Sequence, residues 1–524
     1  MKFTKEALVV GGLVTQILAL PAQRSTDETQ SALTWLGVDI SKAPEVSGNG
    51  CKDACYVLNK IFGSKKVITS NTTSYQDATK SFWSAQQGEV KPSCIFVPST
   101  DKEVAAAVVL SQFSKCPFAA KSGGHAAFAG ASNIQDGITI LLRDLKEVTL
   151  NDDKSVASIG PGNNWGQVYK ALEPQGVTVV GGRMSGIGVG GLLTGGGISY
   201  FSNQYGWALD NVESFDVVNA KTGQILKASE KENPDLYWAL RGGGNNFGLV
   251  TRFNLHTIPN SLLWGGTHVF SEDKFTDVIG AFVDVAEHAK DDGHAQEYVL
   301  FATLQGSNIA SAELTYTKDE SKPSIFEDFL SIPSVSNTTS TRSLAKYCDD
   351  LNAQDPYGMR DVFWNRSFKL DEDFANWLVK RWFEINSRVS SIPDAMVGLT
   401  FQVITEPMLE KMSNAGGNAL GLDTSSGPIL LVHVLGMWNS ASDDETIYQF
   451  LDEFFDTATE EAESRELDND FIYMNYASQF QDVILSYGED NKARLQEIAS
   501  KYDPDGVYQK LQPGHFKLDH APSS

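Results

Sequence analysis

Residues 186–200 read GIGVGGLLTGGGISY, seven glycines in fifteen positions, and few folds accommodate such a stretch. Gly186, Gly188 and Gly191 satisfy G-x-G-x-x-G, the turn that opens a dinucleotide-binding βαβ unit. That unit needs a helix directly after the turn, with its N-terminus on the pyrophosphate. Gly195, Gly196 and Gly197 stand where the helix would run, and each costs roughly 1 kcal/mol in a helix interior. The stretch therefore argues against a Rossmann unit. It argues for bare backbone approaching something bulky and anionic, because glycine lets N–H groups come close and opens positive φ. Similar loops at 122–124, 160–162, 181–182 and 242–244 would together line a cleft for a large, flat, phosphate-bearing cofactor.

The rest of the chain is read around that cleft. At 524 residues it exceeds the ~250–300 at which one core stops growing, so two domains are expected. A net charge of −24 and a pI near 4.7 argue against nucleic acid or an anionic membrane as partner, since phosphate binding needs clustered Lys and Arg. Lys2 and Lys5 precede the apolar run ALVVGGLVTQILALPA, and residues 1–22 read as a secretory signal cleaved after Ala22. Sequons at Asn71, Asn337 and Asn365 point the same way, towards a secreted glycoprotein. So do Cys51, Cys55, Cys94, Cys116 and Cys348, an odd set in which some pair and at least one stays free; spacing does not fix the connectivity. CKDAC has no Cys/His pair at ligand spacing, so no metal site is expected.

Residues 23–50 are polar and aperiodic and read as a lead-in. From about residue 91, short strands alternate with helices: CIFVPS, then a helix with Thr100 and Glu103 as a capping box, then FAAKSGG running from strand into loop. WGQVYKALEPQG reads as a short helix ending at Gly176, and FDVVNAKTGQILKAS as a hairpin turning at 221–223. Past about residue 262 glycine clusters give way to longer amphipathic helices and strands, the pattern of helices over an antiparallel sheet. The expected class is α+β, with a cofactor domain at 23–262 (core 90–261), a substrate domain at 263–465, and a segment at 466–524 that returns to the first domain and begins with a strand through FIYMNY.

The motifs KPSCIFVPS, KSGGH, GPGNNWGQV, GVGGLLTGGGIS, YGWALDNV and DLYWALRGGGNNFGLVT, in that order, resemble the FAD domain of vanillyl-alcohol-oxidase-type (p-cresol-methylhydroxylase-type) flavoproteins. YMNYA and the later YGEDNKARLQEIASKYDPDGVYQ are similar to the berberine-bridge-enzyme-like branch, in the style of secreted fungal FAD-linked oxidases. The resemblance covers about residues 85–260 and 470–515. It implies that KSGGH carries a histidine, His125, bonded to the flavin 8α position. An imidazole nitrogen is a competent nucleophile near neutral pH, and the glycines let the loop reach the ring. It assigns cofactor contact to Lys121, Ser122, Gly123, Gly124, Gly162, Gly182, Gly186, Ile187, Gly188, Gly190, Gly191, Gly195, Gly196, Gly197, Gly248 and Val250.

Departures from the family pattern shape the expected chemistry. Met184 stands where many relatives carry a second, cysteinyl attachment, so one covalent bond is expected. Ile187 occupies the position that in relatives gates oxygen, which leaves oxidase and dehydrogenase both open. Gly421 replaces a glutamate base of some berberine-bridge enzymes, and Ala127 a tyrosine frequent in plant relatives. The base is then sought in YMNY, at Tyr473 or Tyr476 with Asn475 between; strand alternation would put Tyr473 and Asn475 on one face, and Tyr473 is favoured. A phenol of pKa ~10 needs a neighbouring cation or the electron-poor flavin to serve. Gln402 and Asn418 are expected to meet substrate. The implied activity is oxidation of a hydroxyl-bearing carbohydrate or secondary metabolite by hydride transfer to flavin N5, with O2 as acceptor and H2O2 as product. The alternatives are a dehydrogenase or oxidative cyclase of an alkaloid- or polyketide-like metabolite, or a flavin-carrying binding protein without turnover.

Overall fold

A computed structural model describes residues 26–37, 50–519 and 521; the proposed signal segment lies outside them. Three sheets organise the chain. The first is ordered Val67–Thr69, Cys94–Phe96, Ile138–Leu141, Phe118–Lys121, with the last three strands parallel. The helix Asp101–Ser114 packs on it through a nearly continuous buried run from Val104 to Leu110. Thr100 caps that helix by accepting from Glu103 N–H, as the sequence predicts. The reciprocal half of the box is displaced: Glu103 accepts from Ser99 N–H at 2.7 Å and pairs with Lys66.

The second sheet is antiparallel, ordered Val148–Leu150, Val156–Ile159, Leu249–Pro259, Val212–Val218, Ile225–Ser229, with Val177–Val179 on the far end of Leu249–Pro259. The last two strands in that order form the predicted hairpin. Its core is shared with residues 471–518, so the end of the chain packs into the first half.

The third sheet has nine antiparallel strands between Leu262 and Asn469, with Ala295–Leu304, Met396–Ile404, Ile429–Trp438 and Arg360–Lys369 as central neighbours. Strand alternation divides its faces. Val299, Phe301, Leu399, Phe401, Val432, Val434, Val362 and Trp364 meet the helices Phe275–Glu287, Glu372–Ile385 and Asp444–Ser464. The opposite face carries Tyr298, Gln402, His433, Asp361, Phe363 and Asn365, a polar and aromatic set turned towards the glycine loops.

Three expectations need correction. Thr26–Trp35, read as lead-in, is a helix whose Leu33, with Leu36 just beyond it, is buried against the helix Asp101–Ser114. The expected FIYMNY strand is absent: Met474–Tyr476 is a single 3₁₀ turn. Asn365 is no glycosylation site, because it is fully buried in the third sheet with its amide bonded to the Tyr473 backbone. Asn71 and Asn337 are both exposed. Cys51 pairs with Cys116 and Cys55 with Cys94, leaving Cys348 free and buried.

Candidate active site

The strand Phe118–Lys121 is an edge of the parallel part of the first sheet, and its carboxyl end runs straight into Ser122–His125. Ligands of open parallel sheets collect at such ends. Gly123 and Gly188 touch backbone to backbone, and a Cβ on either would overlap the other's N and Cα. Ser122 Oγ donates to Pro161 O at 2.5 Å and accepts from Gly190 N–H at 3.1 Å, so three of the glycine loops converge. Beyond the junction, a Cβ on Gly191 would meet nothing within 4 Å. Residues Val189–Gly195 do form a helix, contrary to the expectation that the glycines would prevent one. It lasts seven residues because Gly196 and Gly197, at φ 141° and 96°, end it rather than sit inside it. The strand before it, Val177–Val179, pairs antiparallel, which excludes a Rossmann unit on topology.

The other glycines predicted to contact cofactor serve packing as well. Gly162 N–H donates to Leu145 O, Gly182 O accepts the Tyr169 hydroxyl, and Gly248 abuts Val217 two residues before buried Val250. Gly186 N–H donates to Asn352 Oδ1 at 2.7 Å, and Ile187 O accepts from Trp165 N–H. Gly195 is pressed against Asn475, and there is no room for a Cβ at Gly124 over the Lys121 side chain. Lys121 itself turns under the loop to Ser81 Oγ and the Phe82 ring; burial, aided by Arg143, brings its ammonium down to about 7.

His125 is held on three sides. Its ring stacks on Trp83 at 4.2 Å and 11°, with Tyr357 edge-on at 6.2 Å. Nε2 lies 2.9 Å from Asp355 Oδ2. With a carboxylate there to accept a hydrogen bond from Nε2–H, the neutral ring keeps its lone pair on Nδ1.

Across the cleft, the third sheet and the 3₁₀ turn build a second cluster. Arg183 Nη2 donates to Tyr476 Oη at 2.9 Å and to Gln402 Oε1 at 2.7 Å, and its guanidinium lies 5.1 Å from the Tyr298 ring. Tyr476 stacks on His433 at 4.4 Å and on Phe363 at 5.4 Å. His433 Nε2 is 2.8 Å from Gln402 Nε2, so it accepts; burial, with Arg183 adding, pushes the imidazole down to about 3 and keeps it neutral. Phe363 also stacks on Trp83, so one aromatic series joins the Tyr476 cluster to His125.

Tyr473 is a different case from Tyr476. It is 2% exposed, and its oxygen accepts from Gly197 N–H at 2.9 Å and Asn475 Nδ2 at 3.0 Å. Burial, and the neighbouring Tyr476, push its phenol upward. Tyr473 is thus a buried acceptor within the wall of the site. Three residues per turn bring residues 473 and 476 to the same side, with rings 4.9 Å apart, and only the latter reaches Arg183. Gln402 falls in the site. Asn418 does not join it: its amide holds Asp210, a carboxyl that burial raises to about 7. Arg183, His433, Phe363, Trp83 and Asp355 were absent from the sequence reading. An arginine inside GGRMSG and one histidine in the apolar run ILLVHVLGMW were readable signals for the first two; Asp355 carries none.

Comparison with known proteins gives this geometry its setting. Residues 92–229 match the FAD binding domain family. The chain is 34% identical over 514 residues to FAD-dependent monooxygenase tpcD of Cochliobolus heterostrophus, spanning 93% of this chain and 99% of that protein. The crystal structure of 6-hydroxy-D-nicotine oxidase from Arthrobacter nicotinovorans aligns at a TM-score of 0.71 and 21% identity, over 84% of this chain and 96% of that one. Glucooligosaccharide oxidase from Acremonium strictum, whose FAD is described as 6-S-cysteinyl, 8α-N1-histidyl, aligns at 0.70 and 19%, over 87% and 97%. Fold and relatives together define an FAD-dependent oxidoreductase acting on a small organic substrate. The chain belongs to the berberine-bridge-enzyme-like family of flavoproteins with a vanillyl-alcohol-oxidase-type FAD domain, alongside the fungal FAD-dependent monooxygenases.

Proposed function

We propose that the protein is a secreted oxidase of a hydroxyl-bearing carbohydrate or secondary metabolite, with FAD joined by one covalent bond to His125 and Tyr476 as the base. The carrying observation is the 2.9 Å bond from Arg183 to the Tyr476 oxygen, under a sheet face that also presents Gln402 and His433. The residues suit FAD: two glycine loops in backbone contact, open space over Gly191, and a histidine with its Nδ1 lone pair free. Bound FAD supplies a hydride acceptor at N5 and a route for electrons to dioxygen, yielding hydrogen peroxide.

The chain's own residues do the rest. Tyr476, acting as the base, takes the substrate hydroxyl proton, and the Arg183 guanidinium donates a hydrogen bond to its oxygen. Gln402 fixes the guanidinium, while neutral His433 and Phe363, neighbours on one sheet face, pack against the phenol ring. A single flavin bond follows from Met184 at the expected cysteine position. Cys348, which does reach this segment with its thiol near Gly182 O, is fully buried and kept protonated. Two disulfides and two exposed sequons support passage through an oxidising compartment.

Acid denaturation tests the attachment: the flavin should stay with the wild-type chain and leave His125→Ala. Flavin lost from the wild type removes the covalent reading. The name of the 34% identical relative favours a second reading, oxygen insertion. Turnover under ¹⁸O₂ separates the two. Label confined to peroxide supports the oxidase, label in the product the monooxygenase, and no turnover of O2 a dehydrogenase.

A further inference from the structure

The feature that catalysis leaves unused is the Asp355 carboxylate. It lies in the loop between the helix Leu344–Asn352 and the strand Arg360–Lys369, on the roof side of the molecule, yet it reaches the flavin loop. Its Oδ2 bonds His125 Nε2 at 2.9 Å and its Oδ1 accepts from Trp83 Nε1 at 2.8 Å. Trp83 is fully buried and ties both partners together: its N–H donates to Gly124 O and its carbonyl accepts from Gly358 N–H, while its ring stacks on the imidazole. Among the described residues Asp355 has no Lys or Arg partner, and its ion-pairing contact is with the histidine. Asp361 and Tyr357 are the other titratable groups nearby.

Resting on the reading that His125 carries the flavin, we propose that Asp355 is the positioning residue for that attachment, with Trp83 holding it in place. By taking the Nε2 proton into a hydrogen bond, Asp355 fixes the tautomer in which Nδ1 is the nucleophile. It also neutralises the positive charge the ring acquires when Nδ1 is alkylated. A bond forms between Nδ1 and the 8α carbon, and one C–H bond of that methyl group breaks. Its proton and the imidazole's proton leave, and the electron pair passes to dioxygen, which becomes hydrogen peroxide. The atoms balance with O2 as the only oxidant.

The test uses full-length protein made flavin-poor, then given FAD in air. Total bound FAD is measured by absorbance, and the covalent fraction by in-gel fluorescence after denaturation. Asp355→Asn and Asp355→Ala should bind FAD but couple it ~10–100-fold more slowly, the range seen when a metal-bound histidine loses its carboxylate partner. Trp83→Phe, which keeps the stack and removes the Nε1 donor, should fall between; Asp355→Glu should recover part of the rate. Coupling at the wild-type rate in Asp355→Asn, beside covalent wild type and uncoupled His125→Ala, overturns the role of Asp355 and leaves His125 intact. Uncoupled wild type overturns both. If the Asp355 variants bind no FAD, the Trp83→Phe rate decides: slowed supports the role, unchanged refutes it.

Discussion

Replacing each of the two tyrosines by phenylalanine separates catalysis from architecture, because each substitution removes one oxygen and keeps the ring. In Tyr476→Phe the lost atom is the proton acceptor, worth ~10²–10⁴ in the rate of the chemical step. The fold should scarcely change, since Arg183 keeps Gln402 and the ring keeps His433 and Phe363. In Tyr473→Phe the lost atom accepts from Gly197 N–H and Asn475 Nδ2. Leaving a buried donor without a partner costs about 1–3 kcal/mol, and Gly197 lies where the glycine helix ends. Thermal unfolding should therefore come about 1–3 °C earlier, with the chemical step within a few-fold of wild type. The assay is anaerobic flavin bleaching by rapid mixing, using whichever alcohol, sugar or phenol of a panel reduces the wild type, beside a thermal melt of each variant. A hundredfold slower bleaching in Tyr473→Phe with an unchanged melt, and wild-type bleaching in Tyr476→Phe, would refute the assignment.

Other outcomes follow from features away from the base. Asp361 is 1% exposed, neither of its oxygens has a hydrogen-bond partner, and burial, with Asp355 adding, pushes it up to about 8. Between the unfolded value of ~3.9 and about 8 the unfolded chain is ionised while the folded one keeps its proton, so stability falls as pH rises through that window. Melts at pH 4 and pH 8 should show Asp361→Asn gaining on wild type by on the order of a few kcal/mol at the higher pH; parallel melts would contradict this. Asn71→Gln with Asn337→Gln should remove all N-glycan mass seen by intact-mass measurement, since Asn365 is sealed in the sheet. Gly188→Ala, whose Cβ would overlap Gly123, should lower bound FAD per chain at least tenfold, read as the flavin-to-protein absorbance ratio.

How much of this was legible depended on the range of the interaction. Turn chemistry is local, so Gly176, the 212–229 hairpin and the Thr100 cap were readable from neighbouring residues. Glycine propensity argues against a helix at 189–195, but Gly196 and Gly197 lie past its end and terminate it. The YMNY segment forms no strand for want of a partner: a strand needs a neighbour to pair with, and Tyr473 N–H instead donates to the Asn365 side chain, 108 residues away. The same link turned a sequon into a core residue, something no local pattern discloses. Arg183 and Asp355 gain meaning only through residues more than 200 positions distant, Gln402 and His125 respectively.

That distance also sets an order of events. Tyr473 and Asn475, near the chain's end, fasten Gly197 of the floor to Asn365 of the roof. Some 470 of the 524 residues are made before that clasp emerges, on the order of a minute at ordinary synthesis rates. Until then the two halves of the cleft meet through Arg183 and Gln402, Gly186 and Asn352, and His125 and Asp355, and the clasp adds the last ties between them. A chain cut short at its last tenth would keep every glycine loop but lose Tyr473 and Asn475, which buttress Gly197, and Tyr476, the phenol that Arg183 holds.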